Sequence, residues 1–507
     1  MNPRYRFASA LGRPTSNFRV HLVISSSAVK SSSTYSSSVA LEKEQPFVFG
    51  KADSDTRDRA QKEKTAKVLL SNVVWMLVGN VAYGFSQWSL LVALAKLGTV
   101  EMVGNFALAL AVVLPVLMFT SLSLRSLQIT DAVRSYRFIE YGTLRLLTVA
   151  PSLAFIAVFG LVSHYSAAVL ISTLLIGGAK ALEYVSDILY GLLQQEEDMS
   201  GIAISMMLRA VLSVAALSTI VYLTRSLVWA SAGLLFCSGA VLLGYDIPKA
   251  ITDRKGNIAA EFRRAVHYIR QLSNVENQRR LWKLAFTGLP MGFALMMVSL
   301  NLNIPRYFIG RQLGMAELGI FSAISTLLAS GSVVINAVGQ AAAPRMANAF
   351  ATNNGRKFGV LLAGLVAASL GLGGLGLFGA LLFGRQAMAL IYRPEYSTHQ
   401  DVLVWLMAAS GLYYLGSTLG YAVTAVRCFG PQLPLFVAAS LTTAMGCIVL
   451  VPRMGLRGAA IAVLISAVVQ CAGSAILLYN SYRRAASGRV GGVVSEQASF
   501  SNQESSV

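Results

Sequence analysis

The sequence predicts an all-α polytopic membrane protein of about twelve transmembrane helices in two six-helix lobes. Three observations predict it. Hydrophobic residues make up 55% of the chain and charged residues only 13%, against about 25% charged in an ordinary soluble domain. Apolar runs recur along most of the length, nearly all of them about 18 or more residues without a charge, long enough to cross a bilayer as helix. A short pattern, Leu97-Gly98, Glu101, Gly104 and Phe106, also returns as Leu313-Gly314, Glu317, Gly319 and Phe321, which reads as a duplication.

In chain order, residues 1–66 hold the low-complexity stretch SSSAVKSSSTYSSSV and too little apolar content to pack, so a disordered cytoplasmic extension is expected. Arg4, Arg6, Arg13 and Arg19, with no acidic residue before Glu42, give it a weak likeness to an organelle transit peptide. The first lobe is expected over 67–246, with apolar runs at 68–95, 102–124, 146–163, 169–194, 201–224 and 226–245. A basic loop, 247–282, leads to a second lobe over 283–482, with runs at 284–305, 318–344, 358–384, 402–426, 432–451 and 458–482. The tail 483–507 is again expected to be disordered. A repeat of six helices per half keeps the same topology in both copies, so the duplication is parallel and not inverted.

The net charge of +19 sits mostly in short loops, which fits anionic lipid head groups and not a nucleic-acid face. Lys62, Lys64, Lys67, Arg134, Arg137, Arg145, the 249–283 loop, Arg356, Lys357, Arg483 and Arg484 fall on one side. Lys96, Arg225, Arg311, Arg385 and Arg393 are spread thinly over the other, so the positive-inside rule places both termini in the cytoplasm. Cys237, Cys428, Cys447 and Cys471 show no ligand-like spacing, the four histidines are isolated, and no phosphate-cradling GxxxxGK[ST] occurs. No cofactor, metal or catalytic constellation is expected.

The fourth run, VLISTLLIGGAKALEYVSDILYGLLQ, carries Lys180, Glu183 and Asp187 well inside its ends. At 100° per residue these share a stripe with Tyr184, Gly191 and Gln194. A charge at that depth costs about 2.5–3.5 kcal/mol on insertion scales, so the stripe is predicted to face the bundle interior or an aqueous cavity. Arg209, on the fifth run, enters from the cytoplasmic side to a depth like that of Asp187, and a pair between the two is expected. Two readings stay open. The charges bind the fourth and fifth helices together, or Lys180 and Arg209 bind phosphate while Glu183 and Asp187 couple to an ion.

Helix 1 carries a second stripe, Asn72, Gly79, Asn80, Tyr83, Ser86 and Gln87, and helix 8 a third, Ser322, Ser325, Ser332, Asn336 and Gln340. The serines and glycines read as close helix packing, whereas the amides Asn80, Gln87, Asn336 and Gln340 are candidates to line a cavity. Arg125 is expected to snorkel to head groups. Tyr413, Tyr414 and Tyr421 suit sugar stacking or an interfacial or core role.

These stretches resemble the polysaccharide-transporter branch, O-antigen flippases included, of the multidrug/oligosaccharidyl-lipid/polysaccharide exporter superfamily. The likeness is carried by LGTVEMVGNFALALAVVLPVLMFTSLSLRSLQ, KALEYVSDILYGLLQQEEDMSGIAISMMLRAVLSV, IPRYFIGRQLGMAELGIFSAISTLLASGSVVINAVGQAAAPRMA, YRPEYSTHQDVLVWLMAASGLYYLGSTLGYAVTA and GLRGAAIAVLISAVVQ, and covers about 68–482. It implies a flippase of the cytoplasmic membrane moving a lipid-linked oligosaccharide by alternating access around a cationic cavity. Polysaccharide assembly proteins are the partners it implies. Two alternatives are a cation-coupled multidrug antiporter of the same superfamily, using Glu183 or Asp187, and a membrane-embedded polysaccharide polymerase or ligase. The short predicted outer loops disfavour the last, which needs room to hold donor and acceptor.

Overall fold

In a computed structural model the described residues are 51–131, 135–252, 268, 274–352, 354–426 and 431–486. They contain helices and no strand. Twelve of these helices are long and apolar enough to cross a membrane, which makes this a multi-pass membrane protein. They are α1 (Lys51–Leu97), α2 (Val100–Thr120), α3 (Phe138–Val162), α4 (Ala167–Gln195), α5 (Met199–Thr224), α6 (Leu227–Val241, whose span continues through a π turn to Ile251), α7 (Val275–Gln312), α8 (Met315–Ala351), α9 (Gly355–Ile391), α10 (Gln400–Ala425), α11 (Gln432–Met454) and α12 (Leu456–Ala486). By internal contacts the chain divides at Lys62, and the packing described below lies within Glu63–Val507.

Two differences from the apolar runs have local causes. Helix α1 begins at Lys51, inside the stretch expected to be disordered. There the sequence places acids four residues before bases, as in Asp53/Arg57, Asp55/Arg59, Asp58/Lys62 and Glu63/Lys67, a spacing that supports a helix with no apolar face. Helix α7 begins at Val275, nine residues before its apolar run, capped by Asn274, whose side chain accepts from the Glu276 amide. The disorder expected over 1–50 and 487–507, and most of the basic loop, lie outside the described residues.

Positions equivalent in the duplication meet each other. A Cβ on Gly104 of α2 would lie 1.9 Å from the Met315 carbonyl oxygen of α8, and one on Gly319 would lie 2.2 Å from that of Val100. Only glycine allows two backbones that close. Around this contact Leu94, Val103, Phe106, Leu318, Phe321 and Ile324 form one apolar cluster drawn from both halves. Lys96 Nζ donates to the Leu390 carbonyl (2.9 Å) and Arg393 to that of Lys96 (2.7 Å), so reciprocal bonds tie the halves together. The halves are thereby joined at the predicted outer end.

A second glycine seam lies nearer the predicted cytoplasmic end. Cβ atoms on Gly288 and Gly292 of α7 would each come within 2.5 Å of a carbonyl oxygen of the α2 exit, those of Leu122 and Phe119. Beyond that exit a short helix, Leu124–Thr130, turns back under α4. Leu122 and Ser123 adopt left-handed backbone to make the turn.

Candidate functional site

The polar stripe of α4 does face inward, and the structure supplies its partners. Near the middle of α4, Lys180 Nζ donates to Glu183 Oε2 (3.0 Å), Gln87 Oε1 (3.1 Å) and the Tyr83 hydroxyl (3.2 Å). Tyr83 in turn donates to Glu183 Oε2 at 2.6 Å. The ammonium and carboxylate are thus a local i,i+3 pair clamped by two side chains of α1. One turn further toward the predicted cytoplasmic end, the guanidinium of Arg145 on α3 lies 5.5 Å from the Tyr184 ring centroid. Next, Arg125 bridges α4 twice, to Asp187 Oδ1 (3.0 Å) and Gln194 Oε1 (2.9 Å). Gly191, between those two contacts, leaves room for Gln128, which a Cβ would strike at 2.6 Å.

The sequence of charges down α4 is therefore Lys180, Glu183, Arg145, Asp187 and Arg125. Neighbours of opposite sign are what a membrane interior requires, since an unpaired charge there is costly. The ladder is not sealed. The side chains of Arg125 and Asp187 are 23% and 31% exposed, against 11% and 17% for Lys180 and Glu183. Arg145 is 2% exposed, and its Nε and Nη2 have no hydrogen-bond partner among the described residues.

Two expectations need correction. Arg209 does not pair with Asp187. Its Nη2 donates to Asp246 Oδ2 (3.0 Å) and Ser186 Oγ (2.8 Å), with both ionic side chains at most 3% exposed. The physical reason is a π-helical turn, Leu242–Asp246, which continues α6 and swings Asp246 in between α4 and α5. Ser186 and Ser205 also donate to Asp246, and Tyr190 and Ser205 share a hydrogen bond of 2.6 Å. Arg209 is thus held between α4, α5 and the π turn by Ser186 and Asp246. Arg125 does not snorkel either, because Asp187 and Gln194 offer closer partners than head groups do. Asn80, a candidate to line a cavity, is exposed and donates to the Met76 carbonyl of its own helix (2.7 Å).

In the second lobe, Asn336 Oδ1 accepts from Ser417 (3.2 Å) and Tyr421 (3.4 Å), beside a cleft of about 260 Å³ among α7, α8, α10, α11 and α12. Gln340 is exposed next to it, on the same helix. Tyr413 and Tyr421 line this cleft, whereas Tyr414 is buried with its hydroxyl on the Leu328 carbonyl (2.6 Å) and serves packing. Sequence reasoning missed Asp246, which sits where the sixth apolar run ends. It also missed Arg145, which lies one residue before an apolar run that the helix in fact starts eight residues earlier.

Twelve spanning helices, a repeat whose equivalent glycines meet, and a charge ladder along α4 define an all-α polytopic membrane protein. The structure overlays an inward-facing multidrug resistance MATE family transporter of the MOP superfamily at a TM-score of 0.61, covering 83% of this chain and 98% of that one at 13% identity. It overlays the lipid II flippase MurJ at 0.57, covering 82% and 90% at 11% identity. At those identities the likeness is one of fold. Residues 69–350 match the polysaccharide biosynthesis protein family, and the chain belongs to it. It is similar to the capsular polysaccharide biosynthesis protein CapF of Staphylococcus aureus, 25% identical over 418 residues, 82% of this chain and all of that one.

Proposed function

We propose that the protein is a flippase or exporter that carries a lipid-linked oligosaccharide across the cytoplasmic membrane for surface polysaccharide biosynthesis, with both termini in the cytoplasm. The observation that carries this reading is the half-open charge ladder on α4, in a chain of the polysaccharide biosynthesis family. A lipid diphosphate presents two anionic groups, and Lys180 and Arg125 are the part-exposed cations that meet them. Each is held by a carboxylate 3.0 Å away, Glu183 or Asp187. An arriving phosphate exchanges with that carboxylate, so neither cation is stranded before or after transport. Gln87, which already accepts from Lys180, orients the ammonium. Translocation is the work of the two halves rocking against each other, with the contact of Gly104 and Gly319 parting as the outer end opens, and no bond in the substrate is made or broken. The reading agrees with what the relatives' names say of them, a capsule biosynthesis protein and a lipid II flippase.

The antiporter reading has one observation in its favour, a mid-helix carboxylate at Glu183. That carboxylate is already taken by an ammonium and a phenol, so a coupling ion would have to displace both.

The test is export in cells lacking the chromosomal copy, with variants matched for abundance. Loss of the protein should abolish surface polysaccharide and trap the lipid-linked precursor in the cytoplasmic leaflet. Lys180→Ala and Arg125→Ala should each lower export at near-normal abundance. Full recovery of export in Lys180→Ala/Glu183→Ala would remove Lys180 from substrate binding, and normal export without the protein would end the proposal.

A further inference from the structure

The two halves differ in chemistry. The ladder on α4 is built from ionised groups, whereas among the described residues the cleft of α7, α8, α10, α11 and α12 is lined by no Lys, Arg, Asp, Glu or His. Its polar lining consists of amides and hydroxyls, Asn336, Gln432, Gln470, Ser417, Ser474 and Thr424, set beside the rings of Tyr413, Tyr421 and Phe436. That is the lining an uncharged, hydroxyl-rich ring calls for: amides bond neighbouring hydroxyls, and aromatic faces cover the C–H face of the ring. An acyl chain would leave the Gln470 amide without a partner, at a cost. A phosphate would find no cation among the described residues that line it.

The wall is also shaped for an occupant. Gly416 and Gly420, one turn apart on α10, both line the cleft, and a Cβ on Gly420 would meet nothing within 4 Å. The missing side chain there relieves no helix contact; it leaves space inside the cleft. At about 260 Å³ the volume falls below the range for drug-sized ligands, about 300–1,000 Å³, which suits one sugar ring and not an oligosaccharide.

We infer that this cleft is a neutral-sugar subsite, holding one uncharged pyranose unit of the lipid-linked substrate while the α4 ladder holds its phosphates. The inference rests on the export reading and adds to it a division of recognition between the lobes. Ring and hydroxyl contacts fix which glycan is accepted, and the charge ladder supplies affinity common to any lipid diphosphate.

The experiment compares two probes on the purified full chain in detergent: polyprenyl diphosphate without sugar, and the lipid-linked saccharide extracted from cells lacking the protein. Wild type should bind the saccharide-bearing lipid about tenfold or more tighter, the worth of one or two net hydrogen bonds with a ring contact. Gly420→Leu fills the cleft, and should bring the two affinities within about twofold while leaving that for polyprenyl diphosphate unchanged. Gln470→Met, which keeps the side chain's volume and removes its amide, should lose part of the advantage and serves where Gly420→Leu fails to fold. Arg125→Ala should weaken both lipids alike. A full sugar advantage in well-folded Gly420→Leu, or in Gln470→Met, overturns the subsite, as does equal affinity of wild type for the two lipids. Wild type that binds neither lipid overturns the export reading and the subsite with it.

Discussion

Arg209 and Asp246 provide the sharpest test of how charge is used in the first lobe. Their side chains are 3% and 1% exposed and 3.0 Å apart, and Asp246 also accepts from Ser186 and Ser205. Arg209→Met removes the guanidinium and leaves a buried carboxylate with two hydroxyl donors. Removing one partner of a buried pair costs about 3–5 kcal/mol, and the surviving hydroxyl bonds recover about 1 kcal/mol each. A net loss of about 1–3 kcal/mol is expected, enough to lower abundance and the unfolding midpoint. The guanidinium is itself poorly satisfied, since Nε and Nη1 have no hydrogen-bond partner among the described residues. Arg209→Met/Asp246→Leu should therefore restore stability to within about 1 kcal/mol of wild type, or exceed it. The assay is a double-variant cycle on detergent-solubilised protein, read by thermal unfolding and by size-exclusion recovery, with export measured in parallel. Arg209→Met at normal stability but without export would refute the reasoning, because it would place Arg209 on the substrate and not in the lobe's frame.

Three further outcomes are expected. Gly104→Ala pushes a methyl to 1.9 Å from the Met315 carbonyl, so the predicted outer end should open; a cysteine at the buried position Ala323 should then gain labelling by an impermeant maleimide, and unchanged labelling with unchanged export would show that this contact is no gate. Asp198 caps α5, and although partial burial pushes its carboxyl up, the Ser200 hydroxyl, the Gly201 amide and the Lys249 ammonium hold it lower, at about 2. Because that lies below the ordinary value of about 3.9, its stabilisation is complete above pH 4 and lost as pH falls through 2; the difference in unfolding midpoint between wild type and Asp198→Asn should shrink over that interval, and a constant difference would show that the cap does not depend on charge. Cysteines at Ser54 and Ser487 should resist impermeant reagents in intact cells, and labelling of either would invert the topology proposed from the basic loops.

How far the candidate site could be read in advance depended on whether its contacts are local. Lys180 and Glu183 lie three residues apart on one helix, and that spacing alone puts them side by side. The inward aim of the stripe followed from the cost of charge in lipid. The cross-helix partners did not follow. Arg209 and Asp187 have similar depths, but depth leaves open the rotation of each helix about its axis. That rotation, with the π turn at Leu242–Asp246, gives Arg209 to Asp246 and frees Asp187 for Arg125. The second-lobe cleft was visible only as scattered residues, Asn336 on one helix and Tyr413 and Tyr421 on another.

The sequence by itself determined the all-α membrane class, the number of spans and the helix on which charge enters the bilayer. Each of these depends on composition and on periodicity within one segment, where backbone hydrogen bonding leaves a single solution in lipid. The tertiary structure alone decided which charges pair, which of them stay open, and that equivalent glycines of the two halves touch. Those depend on the rotation and register of helices far apart in the chain, which close packing of many side chains selects together.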